Sequence, residues 1–118
     1  MDKTAKKIHQ LRFRAKDRDT FEAIKEGRKK IETRAATDKF RKIKAGDIAV
    51  FVCAGRRFKK EISRVEIFKT IPALFKKYPL KIVNPFVKGI DEARDVYYSY
   101  PGYQEKIKKF GLIAMEFN

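Results

Sequence analysis

The sequence has no tryptophan, a single cysteine (Cys53) and a single histidine (His9) among its 118 residues. A lone cysteine forms no internal disulfide, and one cysteine with one histidine cannot complete a zinc site of ordinary composition. No metal and no cofactor are therefore expected. Nor is there an apolar run approaching the roughly 20 residues of a spanning helix, and Met1 to Lys7 lacks the apolar stretch of a secretory signal. The expectation is a soluble, cytoplasmic chain with no membrane partner. Acidic residues are scarce, 15 Asp+Glu against 30 Lys+Arg, which gives a formal net charge of +15. Such an excess opposes compaction and raises affinity for polyanions, so nucleic acid leads among partner classes, ahead of anionic membrane and acidic protein.

What the chain does have is apolar bulk: 43% hydrophobic residues, with Phe 10 and Tyr 5. That suffices to close one core at a length typical of one domain. A single domain over residues 1–118 is predicted, with residues 1–7 frayed, and His9 reads as unremarkable beside that end. Cys53 reads as buried filler. No internal repeat, low-complexity tract or linker is visible.

Leu11 and Phe13 alternate with polar neighbours as a first strand. Asp17 or Asp19 opens a short helix through Phe21 to Glu26, and Gly27 stands where a left-handed C-terminal cap belongs. Residues 30–34 alternate again as a second strand, with Ile31 facing opposite to Glu32. Residues 35–44 read as a polar, basic loop that ends in the turn Ala45-Gly46-Asp47. Residues 48–53 are apolar throughout, the pattern of a strand covered on both faces. Gly55-Arg56-Arg57 reads as a turn into a long strand ending at Phe68, bulged where its parity shifts. Thr70 and Pro72 start a helix that Pro79 stops, and Asn84-Pro85 marks a turn. Asp91 opens a helix through Tyr97 or Tyr98, a further helical turn runs from Tyr103 to Phe110, and residues 112–117 close the chain as a strand. This order predicts an α+β fold, a curled sheet or small mixed β-barrel of about five strands with helices at its rim.

The densest constellation is Gly27-Arg28-Lys29-Lys30-Ile31-Glu32-Thr33-Arg34. On a strand, residues two apart share a face at about 6.6 to 7 Å, so Glu32 and Arg34 project together while Ile31 and Thr33 go to the other side. Lys29 precedes the pleat and is aimed by the glycine turn. A lysine, a glutamate and an arginine converging on one patch suit a phosphate, carbonyl or nucleobase ligand. The same spacing fits equally well a solvated charged strand with one ion pair, worth about 0 to 1 kcal/mol.

The stretch fits the pattern G-x-K-x-x-E-x-R, and in this it resembles the ASCH domains of the PUA-like superfamily. Phe21-Glu22-Ala23-Ile24, Ile43-Lys44-Ala45-Gly46-Asp47, Tyr100-Pro101-Gly102 and the closing Gly111 to Phe117 are similar to the same family. The resemblance implies a PUA-like β-barrel with a cleft lined by Lys29, Glu32 and Arg34, and a role in binding or processing RNA or modified nucleosides. Some members resembling this chain deacetylate N4-acetylcytidine with a lysine at the place of Lys29 and a threonine nucleophile at the place of Glu32. This chain departs there, because a carboxylate cannot accept an acyl group without forming a reactive anhydride, and strand alternation turns Thr33 away. Glu32 would serve instead as a base for water if burial raised its pKa. Other members are ribonucleases that need no cofactor; for that chemistry Lys29 and Arg34 would stabilise the phosphorane and a lysine, a glutamate or a tyrosine such as Tyr100 would move protons.

The leading expectation is thus an RNA-interacting module that binds single-stranded RNA or a modified nucleotide. Its predicted nucleic-acid contacts are Arg28, Lys29, Lys30, Arg34, Lys39, Phe40, Arg41 and Lys42, with Phe40 either stacking on a base or plugging the core. The alternative is a metal-independent hydrolase, a ribonuclease or an amidohydrolase acting on an acylated cytidine, with Lys29, Glu32 and Arg34 as catalytic residues. A third reading is an adaptor whose cleft takes a small anion. Of Tyr97, Tyr98, Tyr100 and Tyr103, at least two are expected to pack helices against the barrel. The cluster Arg56, Arg57, Lys59 and Lys60 either tracks phosphates or keeps a hairpin tip soluble.

Overall fold

The computed structural model describes residues 6–118. Strand β1 (Ile8–Phe13) leads through a 3-10 turn (Ala15–Asp17) into α1 (Arg18–Glu26), then β2 (Ile31–Ala35), α2 (Asp38–Arg41), β3 (Ile48–Cys53) and β4 (Arg56–Phe68). Four helices follow, α3 (Ile71–Lys77), α4 (Leu80–Val83), α5 (Ile90–Ser99) and α6 (Tyr103–Phe110), and β5 (Leu112–Phe117) ends the chain. The strands form one five-stranded curled sheet, an open half-barrel in the order β1-β3-β4-β5-β2. β1 runs parallel to β3, and every other pairing is antiparallel. The α+β expectation with about five strands and surrounding helices is met.

Two cores sit on opposite faces of this sheet. Leu11, Phe51, Ile62, Ile113 and Met115 line the concave face, where Phe21 and Ile24 of α1 plug the opening. Ile31, Phe68, Leu112 and Ala114 face outward and pack against Ile71, Leu74, Tyr97 and Ile107 of the later helices. Ile31 therefore belongs to this second core between sheet and helices, and not to the barrel interior.

The later helices contact β4, β5 and β2, which accounts for a correction at β3. Only Ala49, Phe51 and Cys53 are buried there, while Ile48, Val50 and Val52 are half-buried. The all-apolar run signalled a strand with one fully covered face and one partly covered face. The hairpin turn is Ala54-Gly55, both with positive φ (48° and 82°), the two-residue geometry that matches strand twist. Arg56 and Arg57 are thus paired with Cys53 and Val52 inside the ladder. The bulge in β4 falls between Ile62 and Arg64.

The basic stretch 35–44 is not a plain loop, since it holds α2 and buries Ala36 and Ile43. The helices bounded by Thr70 and by residues 103 to 110 form where the caps predict. Thr70 Oγ1 accepts the Ala73 N–H at 3.2 Å, the ordinary N-cap bond. Asp17, by contrast, gives α1 no side-chain cap and instead accepts from Arg14 at 2.7 Å.

The frayed-terminus expectation is corrected at its inner end, residues 1–5 lying outside the described residues. Lys7 C=O accepts the Ile48 N–H at 2.8 Å, and Lys6 Nζ reaches Glu61 at 2.8 Å. His9, far from unremarkable, meets Asp47 Oδ2 at 2.8 Å, and that carboxylate also accepts the Lys44 N–H at 3.0 Å. Burial would raise the Asp47 pKa, but His9 and the backbone donors outweigh it and hold it below the usual carboxylate range. This cluster ties β1 to the turn that launches β3. No described helix is long and apolar enough to cross a membrane.

Candidate functional site

Gly27 ends α1 with φ 84°, a backbone conformation that favours glycine. The Arg28 and Lys29 N–H groups fold back onto Ala23 C=O at 3.0 and 3.1 Å. That reversal turns the Lys29 side chain inward before β2 begins. Lys29 converges on the patch and lies deep in it: it is 5% exposed, and its ammonium donates to Ile31 C=O at 2.7 Å and to Val83 C=O. Its third neighbour is Glu32 Oε1 at 3.2 Å. Three acceptors call for three protons, so Lys29 is an ammonium in this arrangement. Burial pushes its pKa down, and the Glu32 carboxylate opposes that shift.

Glu32 and Arg34 share the concave face of β2, opposite Met115 and Ile113 of β5. Glu32 is 6% exposed, and its Oε2 accepts from both Nε and Nη2 of Arg34 at 3.0 Å. Burial raises the Glu32 pKa, but Lys29 and Arg34 on either side more than reverse this and hold the carboxyl below its usual range. The carboxyl is thus favoured in its ionised form, and the raised pKa on which a base for water depends is not found. The ionised carboxylate is a poor proton acceptor and a strong hydrogen-bond acceptor.

Arg34 also reaches across the gap in the half-barrel. Its Nη2 donates to Arg12 C=O of β1 at 3.3 Å, and its guanidinium lies over Phe13 at 5.0 Å and Phe40 at 5.7 Å. β1 and β2 are the two edges of the sheet, so Arg34 staples the seam through which the interior opens.

Above the triad lies a cleft of about 590 Å³, walled by β1 and the turn after it, by β2, and by the α4–α5 loop with α5. That volume falls in the usual range for small-ligand sites. Thr33 alternates to the helix-covered face as expected, yet its Oγ1 pairs with Tyr97 OH at 2.6 Å and the two still line the cleft. Tyr100 sits in the wall, edge-on to Tyr103 at 5.3 Å and beneath the Arg14 guanidinium at 5.2 Å. Burial raises its pKa, so its hydroxyl stays a donor. Tyr97 and Tyr103 pack as structural tyrosines, Tyr103 OH accepting the Ala35 N–H at 3.2 Å, whereas Tyr98 is exposed.

The wider basic set divides. Arg28 stands on the cleft's outer side over Phe86 at 5.8 Å, and Lys30 is exposed next to it. Lys39, Arg41 and Lys42 lie away from the cleft lining. Arg41 is committed to Ala36 C=O at 3.0 Å and Phe110 C=O at 3.1 Å, clasping α2 to the end of α6. Phe40 packs against the concave core with Arg34 and Lys39 over its ring, the plug and not the free platform. At the hairpin, Arg56 forks onto Glu22 at 2.8 and 3.3 Å and Lys60 caps Ile24 C=O at 2.7 Å, so half of that cluster clamps α1.

Sequence reasoning missed Arg12, Phe13 and Arg14 as one wall and Asn84 and Phe86 as another. Only the Asn84-Pro85 turn gave a local signal, and it marked a loop without marking its function.

No family model and no curated protein matches the chain. Solved structures do, among them two of Pyrococcus proteins. The crystal structure of hypothetical protein PH0355 of Pyrococcus is 31% identical, covers 93% of this chain and 98% of its own, and superposes with a TM-score of 0.79. The solution NMR structure of protein PF0455 from Pyrococcus furiosus is 30% identical, with 93% and 96% covered and a TM-score of 0.71. Sharing this identity over nearly its whole length, the chain belongs to the same family as PH0355 and PF0455.

Proposed function

We propose that the chain is a cytoplasmic, RNA-interacting module of the ASCH type, on a PUA-like barrel, that draws one nucleotide of a single-stranded RNA, or a modified nucleotide, into the cleft over Lys29, Glu32 and Arg34. The observation that carries this reading is the buried triad itself. Burying Lys29 and Glu32 and half-burying Arg34 is expensive even when they are paired, and here the three form the floor of a cleft of ligand size.

Charge balance says which part of a nucleotide goes where. Within the cleft Lys29 and Arg34 are offset by Glu32, and Arg14 by Asp17 at 2.7 Å. Such an interior of mixed sign, net +1 at the triad, suits a base or nucleoside with donor and acceptor edges better than a bare phosphate. The ionised Glu32 accepts from base N–H groups, Arg34 donates to a carbonyl, and the wall aromatics contact the base faces. The phosphates fall to exposed cations around the mouth, Arg12 and Lys16 of the lining and Arg28 beside Phe86.

With roughly four to six phosphates neutralised, the affinity for a single-stranded RNA should fall with log salt at a slope of about −3 to −4. Fluorescence anisotropy titrations across salt concentrations measure it. Binding that is absent at low salt, or indifferent to salt, overturns the proposal.

The hydrolase reading draws support from Lys29, whose pKa is depressed by burial, and from the Thr33–Tyr97 hydroxyl pair close by. Against it stands Glu32, held ionised where a base for water needs a raised pKa. Incubation with labelled RNA and with N4-acetylcytidine separates the two readings; turnover of either above a Lys29→Ala control favours the enzyme.

A further inference from the structure

Phe86, in the α4–α5 loop, is 48% exposed, the most exposed aromatic side chain among the described residues, and it stands on the lip of the cleft. The loop that carries it is pinned. Asn84 Oδ1 accepts the Phe86 N–H at 3.0 Å, Pro85 between them fixes its own φ, and Lys88 N–H donates to Glu92 at 2.8 Å where α5 begins. The ring is backed by the Arg28 guanidinium at 5.8 Å, which Glu26 holds in turn at 2.8 Å. Neither hydrophobic core includes Phe86. An aromatic ring held rigid, left in solvent and flanked by cations has the make-up of a base-stacking platform.

We propose that Phe86, backed by Arg28, stacks on the base that flanks the one in the cleft, so that the site reads a step of two nucleotides. This rests on the reading of the cleft as a nucleotide site. It adds that the ligand is a strand, because a lone nucleoside seated on the triad leaves the platform unused. The position fits: Phe86 lines the cleft with Arg28 over its ring, and the exposed cations Arg12 and Lys16 line the same cleft from β1 and the turn after it.

The test is the affinity of a random-sequence, six-nucleotide single-stranded RNA for the wild-type chain and for Phe86→Ala and Phe86→Trp. Since the side chain packs into neither core, both variants should fold as the wild type does. The expected result is a loss of about tenfold for Phe86→Ala, with Phe86→Trp at or above wild-type affinity. If the wild type binds and Phe86→Ala binds equally well, the platform is refuted while the cleft reading stands; a lip that docks a protein partner would give that outcome. A loss that Trp fails to restore also refutes stacking. A wild type that binds no RNA overturns the cleft reading and the platform with it.

Discussion

Replacing Glu32 by Gln should destabilise the fold by about 3 kcal/mol, the scale expected when one member of a buried charge network is removed. The amide keeps the shape of the carboxylate, so no cavity explains the loss. What disappears is the counter-charge to Lys29 and Arg34, whose distances of 3.2 and 3.0 Å to the carboxylate make them dependent on it. The variant should also change the acid limb of stability. Glu32 has a folded pKa below its ordinary value, so its contribution is fully present above the unfolded carboxylate pKa of about 4.3 and is lost as pH falls through the lower folded value. In the Gln variant that acid-dependent loss is missing. Urea titrations at several pH values check both parts; a difference below about 1 kcal/mol at neutral pH would mean that the pair behaves as an exposed surface bridge.

The second large effect is expected far from any charge. Gly111 joins α6 to β5 with φ 80° and ψ −169°, a region essentially reserved for glycine. A Cβ there would lie 2.4 Å from the carbonyl oxygen of Phe68 and 3.3 Å from its carbon, and backbone cannot swing aside as a flexible side chain can. Its own N–H and C=O are committed, to Ile107 C=O at 2.8 Å and from Ala36 N–H at 2.9 Å. Gly111→Ala should therefore cost about 3 to 5 kcal/mol from strain and displaced packing together, a fall in melting temperature on the order of 10 to 20 °C. Because α6 carries Tyr103 and anchors Arg41, any displacement there also disturbs the cleft wall. Thermal unfolding followed by circular dichroism decides it, and a melting temperature within about 3 °C of wild type would contradict the geometry at this junction.

How legible all this was in the sequence depends on the range of the interaction involved. Features decided within a few residues were readable: the left-handed cap at Gly27, the Thr70 cap, the bounds of α6 and the shared face of Glu32 and Arg34. The helices α2 and α4 span four residues each, too short to show a period, so α2 reads as loop in the sequence and α4 gives no signal at all. The burial of Lys29 has no local signal, because the Val83 carbonyl that receives its proton lies 54 residues away. The second wall of the cleft depends on β1 and β2 being opposite edges of one sheet, a fact of strand order that alternation patterns do not contain. Phe40 and Arg41 show the converse. Their composition suggested a nucleic-acid face, and tertiary packing instead uses one as a plug and the other as a clasp.

The central claim is that the ligand enters over the Lys29, Glu32 and Arg34 floor, and a proton–nitrogen NMR titration of the isotope-labelled chain with a six-nucleotide single-stranded RNA tests it most directly. The account predicts that the largest shifts fall on the Thr33, Arg34, Phe86 and Tyr100 amides and on the Arg34 Nε–H, with little change at the hairpin tip. Shifts confined to Arg56, Arg57 and Lys59, or to Lys39 and Lys42, with the cleft silent, would show that RNA is held by surface charge alone and would contradict it.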